Sequence, residues 1–335
     1  MKLSKILLIF VISFSPLLLS GQEQLIDSLV KEGVKLHDQG KYEEAIKVYQ
    51  KALKIEPNSS VANFEISMTY FYSKDYKNAE KYSKKVIKID EKYQLQGYLG
   101  YANALDMQGK TKKAIRVYEE AISKYDNYLL FYNHALTCYN SGQYKKAYDS
   151  VTKAILNNSS HASSHLILSK IMEKQGNRVK AMLPLYFFLL IEPNSKRASV
   201  EYKNLRNFID FGVNKVSNEK TDVEIPQNDD PDFNAAEMMI SLSKASNSIE
   251  ENKGKTDLEL FAENNESLFS ILGELKKDNT GFWWDFYVPF YNDLTNDKLV
   301  KTFSYYISLS KGDEAVKWID NNNEEFERFK HWLSS

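Results

Sequence analysis

Apolar side chains recur every three or four residues through most of the chain, the spacing that places them on one face of a helix. In the segment 42–53 these positions are Tyr42, Ala45, Ile46, Tyr49, Ala52 and Leu53. Residues that interrupt helices are few, since 335 residues contain only 7 Pro and 13 Gly. The pattern predicts an all-α protein.

The helical segments repeat with a period of about 34 residues, typical of repeat architectures. Alanines mark the repeat at spacings of 34, 35, 33 and 34 residues: Ala45, Ala79, Ala114, Ala147 and Ala181. The phrase IEPNS occurs at 55–59 and again at 191–195, four periods apart. Gly40, Gly109 and their counterparts are expected to end the preceding helix, because glycine adopts the left-handed cap conformation without steric cost.

These repeats resemble tetratricopeptide repeats, whose unit is a pair of antiparallel helices with small residues at the helix contacts. The matching residues of the first repeat, about 26–59, are Gly33, Gly40, Tyr42, Ala45, Tyr49, Ala52 and Pro57. The resemblance covers 26–195 and implies an α-solenoid of about five helix pairs followed by a C-terminal helical region. Each pair buries its apolar face against its neighbours, so the stack needs no disulfide.

The resemblance also implies a function, since such arrays bind peptide segments of other proteins in a groove lined by the first helix of each repeat. Carried to this sequence, the expected partner-binding residues are Phe64, Met68, Phe71, Asn103, Tyr132, Leu136 and Tyr139. This groove is mainly apolar and suits a segment with hydrophobic anchors, either extended or helical. The alternative left open is that some of its aromatic residues pack against the chain's own C-terminal helices.

The second helix of the fifth repeat, 181–191, has no charged residue, and a helix that is apolar all round must be covered on both sides. Pro184 should kink it or shift its start. We expect a capping helix within 196–216 and an acidic linker at 217–232. A C-terminal helical domain should follow at 233–335, with helices near 234–250, 257–276, 282–294, 297–310 and 313–333.

The N-terminal segment 1–21 has the layout of a secretory signal peptide. Lys2 and Lys5 precede a 14-residue apolar stretch, which is too short to span a bilayer. We expect cleavage after Gly21, no stable membrane span afterwards, and a periplasmic or secreted location. An uncleaved anchor is the alternative.

Charge and motifs exclude several classes of function. The 44 basic and 45 acidic residues balance, so nothing global favours nucleic acid, although residues 26–200 carry a net charge of +9 and 201–335 a net charge of -11. Cys138 is the single cysteine. No phosphate loop or hydrolase motif is present, and His161 with His165 lacks a third metal ligand. We therefore expect no catalytic residues, no cofactor and no metal.

The densest local feature is the aromatic segment 281–294, which reads GFWWDFYVPFYNDL. It favours a buried stripe of a helix, but adjacent Trp283 and Trp284 do not both point inward easily in an α-helix. Trp284 is therefore included among the expected partner-binding residues. The hypothesis is a protein-binding scaffold or adaptor, and the alternatives are a glycan-binding module built on these aromatics or a hydrolase in the C-terminal half.

Overall fold

The computed structural model describes residues 16–89, 91–216, 221–226 and 230–335. By their internal contacts these fall into two compact units, the first ending at Thr137 and the second running from Cys138 to Ser335. This division lies within a helix, whereas the sequence pattern divides the chain at 217–232. The described residues are predominantly helical, which confirms the predicted fold class.

Ten helices follow one another in five pairs. They are α1 Pro16–Asp38 and α2 Tyr42–Ile55, α3 Ser60–Tyr72 and α4 Tyr76–Ile89, α5 Gln94–Met107 and α6 Thr111–Ile122, α7 Tyr128–Asn140 and α8 Tyr144–Asn157, α9 Ala162–Lys174 and α10 Arg178–Ile191. In the first unit α1, α3 and α5 contact one another in one layer, and α2, α4 and α6 pack against them as a second layer.

Small residues set the close approach of these helices. Ala45, Ala79 and Ala114 are completely buried. At Gly33 a Cβ atom would lie 2.4 Å from the ring of Tyr49, so only glycine lets α1 approach α2 at this point. The alanine period in the sequence is therefore the period of the helix contacts.

The turns within the pairs use a left-handed residue, which is Gly40 (φ 74°) in the first pair and Gly109 (φ 73°) in the third. In the second pair Lys74 takes this place with φ 66°. A side chain with a Cβ atom is strained in this conformation by about 1–2 kcal/mol. The second repeat thus keeps the turn geometry without the residue that suits it.

Lys74→Gly is expected to stabilise the first unit by about 0.5–1 kcal/mol, because the strain relieved exceeds the extra entropy of glycine in the unfolded chain. The matched control is Lys81→Gly in the middle of α4, where the same change should destabilise by about 1 kcal/mol. Chemical denaturation followed by circular dichroism measures both values. Two changes of the same sign would contradict this account of the turn.

The second unit continues from the repeats into a capping helix, a β-hairpin and six more helices. The elements are α11 Lys196–Asp210, β1 Val213–Lys215, β2 Thr221–Val223, α12 Asn234–Ser246, α13 Asp257–Leu275, α14 Val288–Asn296, α15 Val300–Ile307, α16 Asp313–Asn321 and α17 Asn323–Ser334. The strands pair antiparallel, with Val213 opposite Val223. Strand β2 lies in the segment 217–232 that was predicted to be an acidic linker, and β1 lies in the preceding segment that was predicted to contain only the capping helix.

Helix α10 is buried on nearly every side, as its apolar sequence predicts. It contacts α9, α11, α12 and α15, and Pro184 lies inside it. Tyr186 of α10 packs against Phe269 and Phe303, with ring centroids 5.3 and 6.1 Å apart. The Tyr291 hydroxyl donates to the carbonyl of Leu183 at 2.6 Å. The C-terminal helices thus supply the cover that α10 requires.

The aromatic segment begins with a π-helical turn, Trp283–Tyr287. The wider π turn rotates less per residue than an α-helix, so adjacent side chains diverge less. Trp283 is 7% and Trp284 4% exposed, and the ring of Trp284 lies 4.8 Å from that of Phe233. The expectation that Trp284 is accessible to a partner is wrong, because it rested on α-helical geometry.

The C-terminal segment 313–333, predicted as one helix, is two helices separated at Asn322. Asn322 leaves helical geometry at φ -122° and ψ 42°, and its side-chain amide donates to the carbonyl of Trp318 at 2.7 Å. Asparagine forms such local turn contacts readily. The run Asn321–Asn323 therefore ends one helix and begins the next.

At the N-terminus, α1 begins at Pro16, about ten residues before the predicted start of the first repeat. Residues 1–15, which include most of the predicted signal peptide, lie outside the described residues. None of the helices in the described part of the chain combines the length and apolar character that a membrane crossing requires.

Candidate functional site

The first unit contains a cavity of about 270 Å³ on the layer formed by the first helices of its repeats. Its walls come from α3, α5 and α7, and Ser83 of α4 is at its floor. The lining residues are Phe64, Ser67, Met68, Phe71, Tyr72, Ser83, Gln96, Leu99, Gly100, Asn103, Leu129 and Asn133. We call it the α3–α5–α7 cavity.

One wall of the cavity is aromatic and held rigidly by neighbouring rings. Phe64 stacks on Tyr93 with centroids 6.0 Å apart, and Phe71 packs edge-on against Tyr76 at 5.5 Å. Phe64, Met68 and Phe71 lie at i, i+4 and i+7 on α3 and are all half-buried. Apolar side chains are thus presented toward solvent from fixed positions.

The floor depends on a close approach of α4 and α5. A Cβ atom at Gly100 would lie 2.7 Å from Ser83 Oγ, so a larger residue would push these helices apart or fill the cavity from below. Tyr72, at the rim, is 53% exposed and stacks with Tyr42 at 6.4 Å. The cavity therefore has a packed base and an open aromatic edge.

Amide side chains supply the polar groups. The hydroxyl of Tyr118 donates to Asn103 Oδ1, and burial raises the pKa of Tyr118, which keeps this donor protonated. This contact fixes the amide of Asn103, and Nδ2 has no acceptor among the described residues. Gln96 Oε1 is buried and also lacks a partner within the described chain. The cavity thus has an oriented donor in Asn103, and Gln96 in its lining holds an acceptor that is buried and unpaired within the described chain.

The structure places four predicted partner-binding residues, Phe64, Met68, Phe71 and Asn103, in the wall of this cavity. Tyr132 and Leu136 lie further along α7 and are half-buried. Tyr139 belongs to the second unit, where its ring lies 5.8 Å from that of Tyr144. The predicted set is therefore brought together only in part.

Sequence reasoning missed Leu129 and Asn133 on α7, as well as Gln96 and Tyr72. Carrying the register from repeat to repeat selects Tyr132 and Leu136, about one helical turn beyond the residues that line the cavity. The signal was present, since Leu129 and Asn133 are spaced by four on one helix face. Tyr132 and Leu136 share this face, so only the packing of α7 on α5 decides which turn of the helix reaches the cavity.

The second unit contains the two histidines considered as a metal pair. His161 Nδ1 lies 2.8 Å from Ser164 Oγ, and His165 is completely buried. His165 Nε2 donates to the carbonyl of Ser159 at 2.8 Å, and its Nδ1 accepts from the Tyr287 hydroxyl at 2.6 Å. Burial lowers the pKa of His165 to about 4, so its ring is neutral and acts in packing.

A cluster able to hold a metal, with three or more His, Cys, Asp or Glu side chains, does not occur in the described ranges. Cys138 is buried. The α3–α5–α7 cavity contains no acid, base or nucleophile other than hydroxyl groups. Its chemistry is that of contact and hydrogen bonding.

Comparison with known proteins identifies the repeats. Family models described as TPR repeat or tetratricopeptide repeat match residues 33–66, 61–93 and 96–128. A TPR repeat-containing protein of Methanocaldococcus jannaschii is 25% identical over 206 residues, which cover 58% of this chain and 35% of that protein. The chain spans about a third of the length of this relative.

Two solved structures are also similar. Pseudomonas aeruginosa PilF has 19% identity and a TM-score of 0.49, covering 56% of this chain and 88% of that one. A thermophilic TPR protein of Thermus thermophilus has 19% identity and a TM-score of 0.46, covering 54% and 98%. The family matches, together with the helix pairs, confirm that residues 33–128 are tetratricopeptide repeats.

Proposed function

We propose that the chain is a non-enzymatic scaffold that binds a peptide segment of a partner protein in the α3–α5–α7 cavity. The observation that carries the proposal is the combination of a half-buried apolar wall with two amide atoms, Asn103 Nδ2 and Gln96 Oε1, that have no partner among the described residues. Ligand sites are commonly concave and apolar with a few placed polar groups. Tetratricopeptide arrays act in protein–protein interaction, which supports a protein as the ligand.

The polar groups favour an extended segment over a helical one. The Nδ2 group of Asn103 suits a backbone carbonyl, and Gln96 Oε1 suits a backbone N–H. An extended peptide exposes both groups, whereas a helix has already paired them within itself. The apolar wall formed by Phe64, Met68 and Phe71 would hold one or two hydrophobic anchor side chains of that segment.

The glycan-binding and hydrolase alternatives are not carried forward. Trp284 is buried against Phe233, so it offers no platform for a sugar. No arrangement of groups in the described residues singles out a hydrolytic site. The proposal therefore includes neither a cofactor nor a catalytic residue.

The test is peptide selection from a displayed random library, followed by affinity measurement with the parent chain and two variants. Met68→Glu places a charge in the centre of the apolar wall and is expected to weaken binding at least tenfold, because the charge would be desolvated by the bound peptide. Met107→Glu makes the same change at a 54% exposed position outside the cavity and should leave binding intact.

Selected peptides should contain hydrophobic anchors and compete with one another for one site. Equal binding by the parent and Met68→Glu would remove the cavity from the proposal. Circular dichroism of both variants establishes that they are folded before their affinities are compared.

Export remains part of the proposal and rests on the basic start and the apolar stretch Ile6–Leu19. It would bring the scaffold together with partners of the periplasm or the cell exterior. Sequencing the N-terminus of the native protein used for the peptide measurements tests this part, with cleavage after Gly21 as the expected result.

A further inference from the structure

The outer layer of the first unit, formed by α2, α4 and α6, carries a basic surface that the proposed function does not use. Its basic residues are Lys47, Lys51 and Lys54 on α2, Lys77, Lys81, Lys84 and Lys88 on α4, and Lys112, Lys113 and Arg116 on α6. All of them are exposed. None makes an ion pair within the described residues. We call this set the basic face.

The basic side chains are arranged as a grid. On α4, Lys77, Lys81, Lys84 and Lys88 follow the spacing of one helix stripe, which runs for about 16 Å. Lys47, Lys81 and Arg116 occupy the same position in three successive repeats, two residues after the repeat alanine. Because the alanines face the inner layer, these side chains point away from it.

Acidic residues do little to neutralise this face. On α4 the sole carboxylate, Glu80, accepts from Lys110 and Gln108 at 2.8 and 2.9 Å, and these hydrogen bonds help to hold its pKa below the usual range. On α6, Glu120 pairs with Lys124 at 2.8 Å, and Glu119 is exposed beside it toward the end of the helix. Glu43 and Glu44 lie in the first turn of α2, at the end of the stripe. The centre of the basic face remains positive.

We propose that the basic face docks on an anionic lipid surface. Nine of its ten basic residues are lysine, a point charge that attracts headgroup phosphates without fixed geometry, whereas arginine is typical of bidentate recognition of single carboxylate or phosphate groups. Its charge is spread over three helices and is not gathered around a pocket, so it matches a plane of headgroups. Attraction of this kind needs no specific fit, and each basic side chain near the surface adds to it.

The surface is independent of the α3–α5–α7 cavity, which lies on the other layer of the same unit. Failure of peptide binding would leave the lipid proposal untouched, and the reverse also holds. If both are correct, a docked first unit would keep its cavity side away from the lipid.

The test is sedimentation of the full chain with vesicles of phosphatidylcholine, with and without phosphatidylglycerol. The difference in binding between the two vesicle types is compared across variants, because the N-terminal segment with Lys2 and Lys5 is the same in every chain and cancels in that comparison. Binding is expected to be stronger to the anionic vesicles and to weaken as salt is raised. The anionic preference is the ratio of the affinity for anionic vesicles to that for neutral vesicles. It should fall about a hundredfold in the triple variant Lys47→Gln, Lys81→Gln, Arg116→Gln.

The matched control is Lys174→Gln, Lys203→Gln, Lys317→Gln, which removes the same charge from exposed positions of the second unit. It should retain the preference within about threefold. Equal loss in the two triple variants, or equal binding of the parent to both vesicle types, overturns the proposal. Binding to poly-glutamate in place of anionic vesicles would also overturn it and point to an acidic protein.

Discussion

Replacing Arg178 by alanine is expected to lower the free energy of unfolding of the second unit by about 3–5 kcal/mol. Arg178 and Glu237 are 4% and 0% exposed, and Arg178 Nε donates to Glu237 Oε2 at 2.7 Å. Truncating the arginine leaves the carboxylate buried without its counter-charge. Such a loss is much larger than that of a single hydrogen bond.

The surroundings of this pair explain why a smaller residue cannot replace it. Arg178 also donates to the carbonyls of Phe211 and Glu237 and to Ser241 Oγ, at 3.0, 2.6 and 2.7 Å. Glu237 Oε1 accepts from the backbone N–H of Val179 at 2.8 Å. One guanidinium thus joins the start of α10, the C-cap of α11 and the first two turns of α12.

Chemical denaturation of the parent and Arg178→Ala measures the effect, with Lys145→Ala as the control. Lys145 pairs with Asp149 at 3.3 Å but is 90% exposed, so its loss should change stability by no more than about 0.5 kcal/mol. Similar values for the two variants would contradict a structural role for the buried pair. Glu237→Ala should repeat the result for Arg178→Ala.

Acidification from pH 6.5 to pH 4 is expected to destabilise the second unit by an amount on the order of 3 kcal/mol through His165 alone. Burial lowers the pKa of this histidine from 6.5 to about 4, so in this range the unfolded chain binds a proton that the folded chain excludes. The stability contributed by neutral His165 is complete above pH 6.5 and is lost as the pH falls toward 4.

The contacts of His165 support a loss of stability on acidification. Its Nε2 donates to Ser159, and its Nδ1 must stay unprotonated to accept from the Tyr287 hydroxyl. Its ring also stacks on Phe187 with centroids 4.6 Å apart. A charged imidazolium would therefore lose a hydrogen bond within an aromatic, poorly solvated site.

The measurement compares the pH dependence of unfolding for the parent and His165→Gln. Glutamine offers a donor and an acceptor but does not titrate, so the variant should lose most of the acid dependence between pH 4 and 6.5. Glu266 has a pKa raised by burial and acts in the opposite direction, and His161 has a pKa lowered mainly by burial and acts in the same direction as His165. Both are present in the two proteins and cancel in the difference. Parallel curves for the two proteins would exclude His165 as the source.

The sequence predicted the parts of the fold that depend on local spacing. The alanine period is repeated in each pair, and the turn glycine in every pair except the second, where Lys74 takes its place. The charge-free sequence of α10 indicates that other helices must cover it, without indicating which ones. The features that were missed involve contacts between residues distant in sequence or unusual backbone geometry. The contact of Arg178 with Glu237 spans 59 residues, and nothing in either local sequence indicates the other.

The candidate site was likewise predicted where local spacing decides it. Phe64 and Met68 on α3 and Asn103 on α5 could be assigned to the groove, because they lie at groove-facing positions of the first helices of their repeats. The contribution of α7 could not, since Leu129 and Tyr132 lie one turn apart on the same helix face and only the packing of α7 decides which of them reaches the cavity. The orientation of the Asn103 amide depends on Tyr118, a contact that spacing does not reveal.

The burial of α10 has a consequence for how the array changes length in evolution. Repeat arrays grow and shrink by duplication and loss of whole units, which requires that a new unit meet the same contacts on both sides. A copy inserted after α10 would have to replace the aromatic cover of Tyr186 and the partners of Arg178 at once. Among homologues, changes in repeat number should therefore occur upstream of the fifth helix pair, while α10 and its cover are inherited together.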